Sequence, residues 1–148
     1  MKQKISGVFC CLLLVILFIY ASSPVVASSD PTIHLLNVPP YGSRVENLTG
    51  VILNGSAFEY QIGVYIFVNG WRAKKVKINN DGYWISDITT QDNDWEATHI
   101  AVFLFRKNFD MPILKNDKIL PTSLFENAII HEEVIRQPMT TRSSISNK

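Results

Sequence analysis

Apolar and polar positions divide the chain into an apolar opening, a middle of short alternating segments broken by turn residues, and a polar end. The clearest alternation runs over residues 60–68, where Tyr60, Ile62, Val64, Ile66 and Val68 fall on one face at a period of two. That period predicts a strand, because successive side chains on extended backbone point to opposite sides. The other face carries Gln61, Gly63, Tyr65 and Phe67, so it is largely apolar as well. Residues 98–105 repeat the pattern, with Ile100, Val102 and Leu104 on one side and Ala101, Phe103 and Phe105 on the other. Apolar on both faces, this segment is predicted to lie centrally in the fold.

Shorter segments fill the rest. Residues 32–38 stop at Pro39-Pro40-Tyr41-Gly42, and 48–53 stop at Asn54-Gly55. Asn69-Gly70 separates the long alternating segment from a single strand expected over 71–78, and Asn79-Asn80-Asp81-Gly82 closes a hairpin onto 83–88. Proline fixes the backbone at such turns, while asparagine, aspartate and glycine tolerate positive φ. Pro112 and Pro121 interrupt 109–124, which reads as a long ordered loop pinned by its apolar residues, and a last strand is expected over 128–135. No segment holds a helical period for three turns. About seven strands, with a turn signal every ten residues or so, predict an all-β sandwich.

The opening has a different purpose. Lys2 and Lys4 precede an almost unbroken apolar run over 5–20, and Val25-Val26-Ala27 places small residues where a signal peptidase cuts. These three parts predict a signal peptide over 1–27, a β-sandwich domain over 28–136 and a disordered polar tail over 137–148. The expected location is secreted or periplasmic. If the segment is not cleaved, the same run anchors the chain in a membrane.

Removing the signal changes what the domain can do. Both cysteines, Cys10 and Cys11, lie within it, so the mature chain has no disulfide framework, thiolate metal site or cysteine nucleophile. Loss of Lys2 and Lys4 moves the formal charge from +1 to −1, which leaves no general attraction for nucleic acid. The basic run Arg72-Ala-Lys-Lys-Val-Lys77 is expected on a charged edge strand. Asn47-Leu-Thr49 and Asn54-Gly-Ser56 are glycosylation sequons that matter only on a eukaryotic secretory path.

Several blocks occur in a familiar order: Val38-Pro-Pro-Tyr-Gly-Ser43, Asn47-Leu-Thr-Gly50, Val64-Tyr-Ile-Phe-Val68 before Gly70-Trp71, Asp81-Gly-Tyr-Trp84, Asp87-Ile-Thr-Thr90, Ala97-Thr98, Ile100-Ala-Val-Phe-Leu104 and Pro112-Ile-Leu114. Together they resemble a β-sandwich module of secreted bacterial proteins that is often appended to carbohydrate-active enzymes. The resemblance covers residues 33–134 and implies an immunoglobulin-like accessory domain rather than an enzyme. Arg72 stands where a second aromatic usually follows the tryptophan.

Candidate chemistry is sparse. Asp92, Asp94 and Glu96 alternate along one short segment, and a glycosidase needs two carboxylates facing one bond, so Asp92 and Asp94 define a hydrolase alternative. The same oxygens suit a calcium loop or a solvated turn, and no cofactor is expected. His34, His99 and His131 lack metal-ligand spacing, and no Gly-x-Ser-x-Gly elbow occurs. Exposed aromatic faces are better candidates, because sugar rings stack on them while Asp and Asn bind the hydroxyls. Trp84 is expected in the core. The ligand-binding candidates are therefore Trp71, Trp95, Tyr41, Asp92 and Asp94. The expected function is non-catalytic binding of a polysaccharide or cell-surface glycan. The alternative is a structural or protein-interaction domain that uses the apolar second faces of 60–68 and 98–105, or an open sheet edge.

Overall fold

A computed structural model describes residues 29–137. The expected signal over 1–27, both cysteines and residues 138–148 of the expected tail lie outside the described residues. Among the described residues nine strands run as β1 (Thr32–Asn37), β2 (Asn47–Leu53), β3 (Tyr60–Phe67), β4 (Trp71–Lys74), β5 (Val76–Ile78), β6 (Tyr83–Asp87), β7 (His99–Arg106), β8 (Lys115–Asp117) and β9 (Ile130–Ile135). A single 3-10 turn spans Asp94–Glu96, and a short helix, α1, spans Thr122–Asn127. One sheet has the order β1-β2-β6-β5 and the other β8-β4-β3-β7-β9, with every pairing antiparallel. The chain is an all-β sandwich. Among the described residues no helix is long and apolar enough to cross a membrane.

The alternation read along 60–68 and 98–105 places the core. Ile62, Val64 and Ile66 of β3 and Ile100, Val102 and Leu104 of β7 face the first sheet, where they meet Ile33, Leu48, Ile52 and Trp84. Trp84 has no solvent exposure, as expected. Its indole lies across Gly50, its cross-strand neighbour, where an added Cβ would stand 2.4 Å from a ring carbon. The sheet therefore needs glycine at that point.

The other faces of β3 and β7 meet a second core. Tyr65, Ala101, Phe103 and Phe105 pack against Leu114, Leu124 and the half-buried Phe109, Met111 and Leu120. The segment expected to be a pinned loop thus lies over the outer face of the second sheet, and it contains β8 and α1. Leu114 and Leu124 hold it down. The Tyr65 hydroxyl donates to the Pro112 carbonyl at 3.1 Å, and burial pushes its pKa up to about 12, so it stays a donor at neutral pH. Of the apolar second faces considered above for a partner, Tyr65, Ala101, Phe103 and Phe105 are covered by the chain itself, while Phe67 stays half-buried.

The single strand expected over 71–78 is two. β4 pairs with β3 as far as Lys74, the chain crosses at Lys75, and β5 pairs with β6 in the opposite sheet. The Lys75 carbonyl accepts the Ser86 hydroxyl at 2.9 Å, which fixes the crossing. A strand can change sheets without breaking its alternation, so a period of two does not reveal the corner. The basic run is consequently divided between the sheets. β4 is not an edge strand, and its Arg72 and Lys74 side chains are engaged, whereas β5, with the exposed Lys77, does form the edge of its sheet.

Candidate binding end of the sandwich

Three connections and the end of β9 converge at one end of the sandwich. In the β1–β2 loop, Pro39 is buried and Gly42 adopts a φ of 84°, which turns its N–H onto the Trp95 carbonyl at 2.9 Å. The Thr89 hydroxyl donates to the Glu46 carbonyl at 2.8 Å, tying the β6–β7 loop to the start of β2. Asn69 has a φ of 62° in the β3–β4 turn, where asparagine is among the residues best able to adopt it. Arg136 donates its backbone N–H to Thr98 at 2.7 Å and its Nη2 to the Pro40 and Trp95 carbonyls at 2.6 and 3.3 Å. Burial pushes its guanidinium below the usual value, partly offset by Tyr41. It remains cationic, since arginine does not lose its charge in proteins.

The β6–β7 loop is held by charge. Asp94 is 1% exposed, and its two carboxylate oxygens accept from Lys74 and, at 3.4 Å, from Arg72. Arg72 also reaches the Asn93 side chain at 3.1 Å, and Lys74 reaches Gln91 at 3.3 Å. Asp94 is therefore a structural anion that fastens the loop to β4. Asp92 is exposed and sits at a φ of 44° in the turn before it. Both Asp94 oxygens are thus engaged by cations, whereas Asp92 has no ion-pair partner among the described residues.

Asp87 organises the start of this loop. Burial alone would push its carboxyl up, but bonds from the Thr90 hydroxyl and the Thr89 and Thr90 N–H groups, with the charge of Lys74, hold it below the ordinary carboxylate range. A depressed carboxyl contributes stability that is present above its unfolded pKa, about 3.9, and lost as pH falls through the folded value. Asp87→Asn should thus be less stable than the parent at neutral pH, by under about 1 kcal/mol because the carboxylate faces water. The gap should narrow as pH falls below the unfolded value, about 3.9, and denaturation curves at neutral and acid pH that stay equally spaced would rule this out.

Between the loops lies a cleft of about 230 Å³, lined by Tyr41, Phe67, Val68, Asn69, Glu96 and Thr98. Phe67 is backed edge-on by Trp71, with ring centroids 5.4 Å apart, and by His99 at 6.0 Å. Among the five candidate residues, only Tyr41 lines the cleft. Trp71 supports the Phe67 wall from behind and packs on the second core. Trp95 is half-buried with the Arg44 guanidinium 3.9 Å above its ring, and its carbonyl is a loop anchor.

No family model, curated protein or solved structure matches this chain. The likeness to secreted sandwich modules therefore rests on the turn-and-tryptophan blocks alone. Phe67, Asn69, Thr98 and Arg136 were not candidates from sequence. Asn69 had a local signal in its turn, whereas Arg136 joins the end only through contacts with residues about 40 and 96 positions away. Among the described residues no three His, Cys, Asp or Glu side chains converge as a metal site would require.

Proposed function

We propose that this is an exported, non-catalytic module of the immunoglobulin-like kind, and that the cleft at the loop end takes a sugar residue of a polysaccharide or cell-surface glycan. The strand order supports the fold reading: β1-β2-β6-β5 facing β4-β3-β7-β9 matches A-B-E-D facing C′-C-F-G of immunoglobulin-type sandwiches. The observation that carries the binding reading is the cleft lining. Tyr41 and Phe67 supply flat apolar walls, and Asn69, Glu96 and Thr98 supply donors and acceptors between them. Sugars present that same combination, apolar C–H faces with hydroxyls around the ring. The Arg72–Asp94–Lys74 cluster and the Gly42–Trp95 bond would hold the loops in place before a ligand arrives, limiting the ordering cost of binding.

Retention on a panel of insoluble polysaccharides tests the reading. Tyr41→Ala should weaken retention about ten-fold, the scale of one lost stacking face. Glu96→Gln should weaken it less, with folding intact in both variants. Absence of retention on every glycan would remove the proposal. Turnover of a glycoside panel that disappears in Asp92→Asn would restore the hydrolase alternative.

A further inference from the structure

A second cavity, of about 500 Å³, opens where β4 ends and the chain crosses to β5. It runs along β3, and its lining includes Val76, Met111, Pro112 and Ile113 together with Ile62 and Val64, which are almost wholly buried. Ile113 is 82% exposed, a large apolar side chain left facing water.

The edge itself is unpaired. Along β3 the odd positions turn their backbone groups toward β7, since Phe67 and Glu59 accept from Thr98 and Lys107, while the even positions turn toward β4, as Val68 does when it donates to Gly70. In an antiparallel ladder, N–H and C=O of one residue point the same way. β4 covers Val64 and Ile66 but stops at Lys74, so Ile62 faces the cavity. Among the described residues neither its N–H nor its C=O has a backbone partner beyond that register. One donor and one acceptor on extended backbone, flanked by apolar walls, is the recognition surface used in β-strand addition.

Charge narrows the occupant. Lys75 and Lys77 line the groove and are exposed, and among the described residues the ion pairs are those of Arg72 and Lys74 with Asp94. We infer that the groove binds an extended polypeptide segment of a partner protein, apolar where it lies opposite Ile62 and acidic where it passes Lys75 and Lys77, added as a strand in the place β4 vacates. An acyl chain with a carboxylate would match the walls and the lysines but leave both Ile62 backbone groups unpaired; a peptide satisfies them. This inference is independent of the sugar cleft, which lies at the other sheet corner of β3's chain end and shares no lining residue with the groove.

The probe is an end-capped synthetic Thr-Val-Glu-Val-Glu-Thr peptide, titrated into the isotope-labelled protein at low salt. Amide shifts should concentrate at Ile62, Gly63, Val76 and Ile113. N-methylation of the central peptide amides should weaken binding about ten-fold, the loss expected for a hydrogen bond left unmade. Lys75→Glu with Lys77→Glu should weaken it by a similar factor and reverse the preference toward a Thr-Val-Lys-Val-Lys-Thr peptide. Ile113→Asp, at an exposed position, should weaken both peptides without unfolding the domain. Equal binding of the N-methylated peptide, displacement by decanoate at the peptide's own affinity, concentration-dependent shifts of the same amides without peptide, or no binding would each overturn the inference. Tyr41→Ala should leave peptide binding unchanged, which separates failure here from failure of the sugar reading.

Discussion

Asp94→Ala should lower the stability of the domain by about 3–5 kcal/mol, the cost of breaking a buried ion pair from one side. The carboxylate is almost wholly buried, and the Lys74 side chain that contacts it is 8% exposed. Removing the carboxylate leaves an ammonium with little water, the Gln91 side chain beside it and no directly paired anion, the Asp87 charge acting only without contact. Arg72 suffers less, because its side chain is 24% exposed and keeps its bond to Asn93. The pair Asp94→Leu with Lys74→Met should recover most of the loss, since replacing both partners removes the desolvated charge as well as the attraction. Urea denaturation checks this: the midpoint should fall in the single variant at unchanged slope and return in the double. A single-variant loss below about 1 kcal/mol would show that the pair behaves as a surface salt bridge. A ligand role for Asp94 makes the opposite forecast, with binding lost and stability kept.

Trp84→Ala should cost a similar amount, about 3–5 kcal/mol, for a different reason: the largest side chain of the inter-sheet core is removed and its neighbours refill the space only in part. Its indole N–H has no partner among the described residues, so the cost is one of packing rather than of a lost hydrogen bond. Gly50→Ala should also destabilise, because its Cβ would meet Trp84 ring atoms at 2.4 and 2.6 Å and the His34 carbonyl at 2.7 Å. The two sites touch, so their effects should not add. Gly50→Ala should cost less in the Trp84→Ala background, with the remainder set by the His34 carbonyl, and simple additivity in a double-mutant cycle would contradict the contact.

These forecasts also separate what could be read along the chain from what could not. The inward positions of β3 and β7 were legible because alternation is local: one residue's direction fixes the next. The turns at Asn69-Gly70 and Asn79–Gly82 were legible for a related reason, as the backbone angles they need select their residues, and Asn69 and Gly82 do adopt positive φ. The loop position of Tyr41 was legible because its neighbours are two prolines and a glycine. The burial of Asp94 was not legible, because its partners lie 20 and 22 residues upstream, on a strand whose basic residues looked like an edge. Nothing in an Asp-x-Glu spacing distinguishes a buried anion from a solvated one. Trp95 was read for its ring, whereas its backbone carbonyl does the anchoring.

The chain's own order of residues thus determined an all-β domain, its long central strands, its turns and the identity of its core tryptophan, all properties carried by neighbours in sequence. Only the tertiary structure decided that β4 and β5 part company at Lys75, that residues 109–128 cover the outer apolar face, and that Asp94 of the β6–β7 loop serves charge pairing. Each of those outcomes depends on which distant surface a segment meets, and side-chain pairs far apart in sequence leave no periodic trace. The loop-end cleft and the groove beside Ile62 belong to this second class. They exist where strands end or diverge, and the place where one strand leaves another is set by the packing of the whole sandwich.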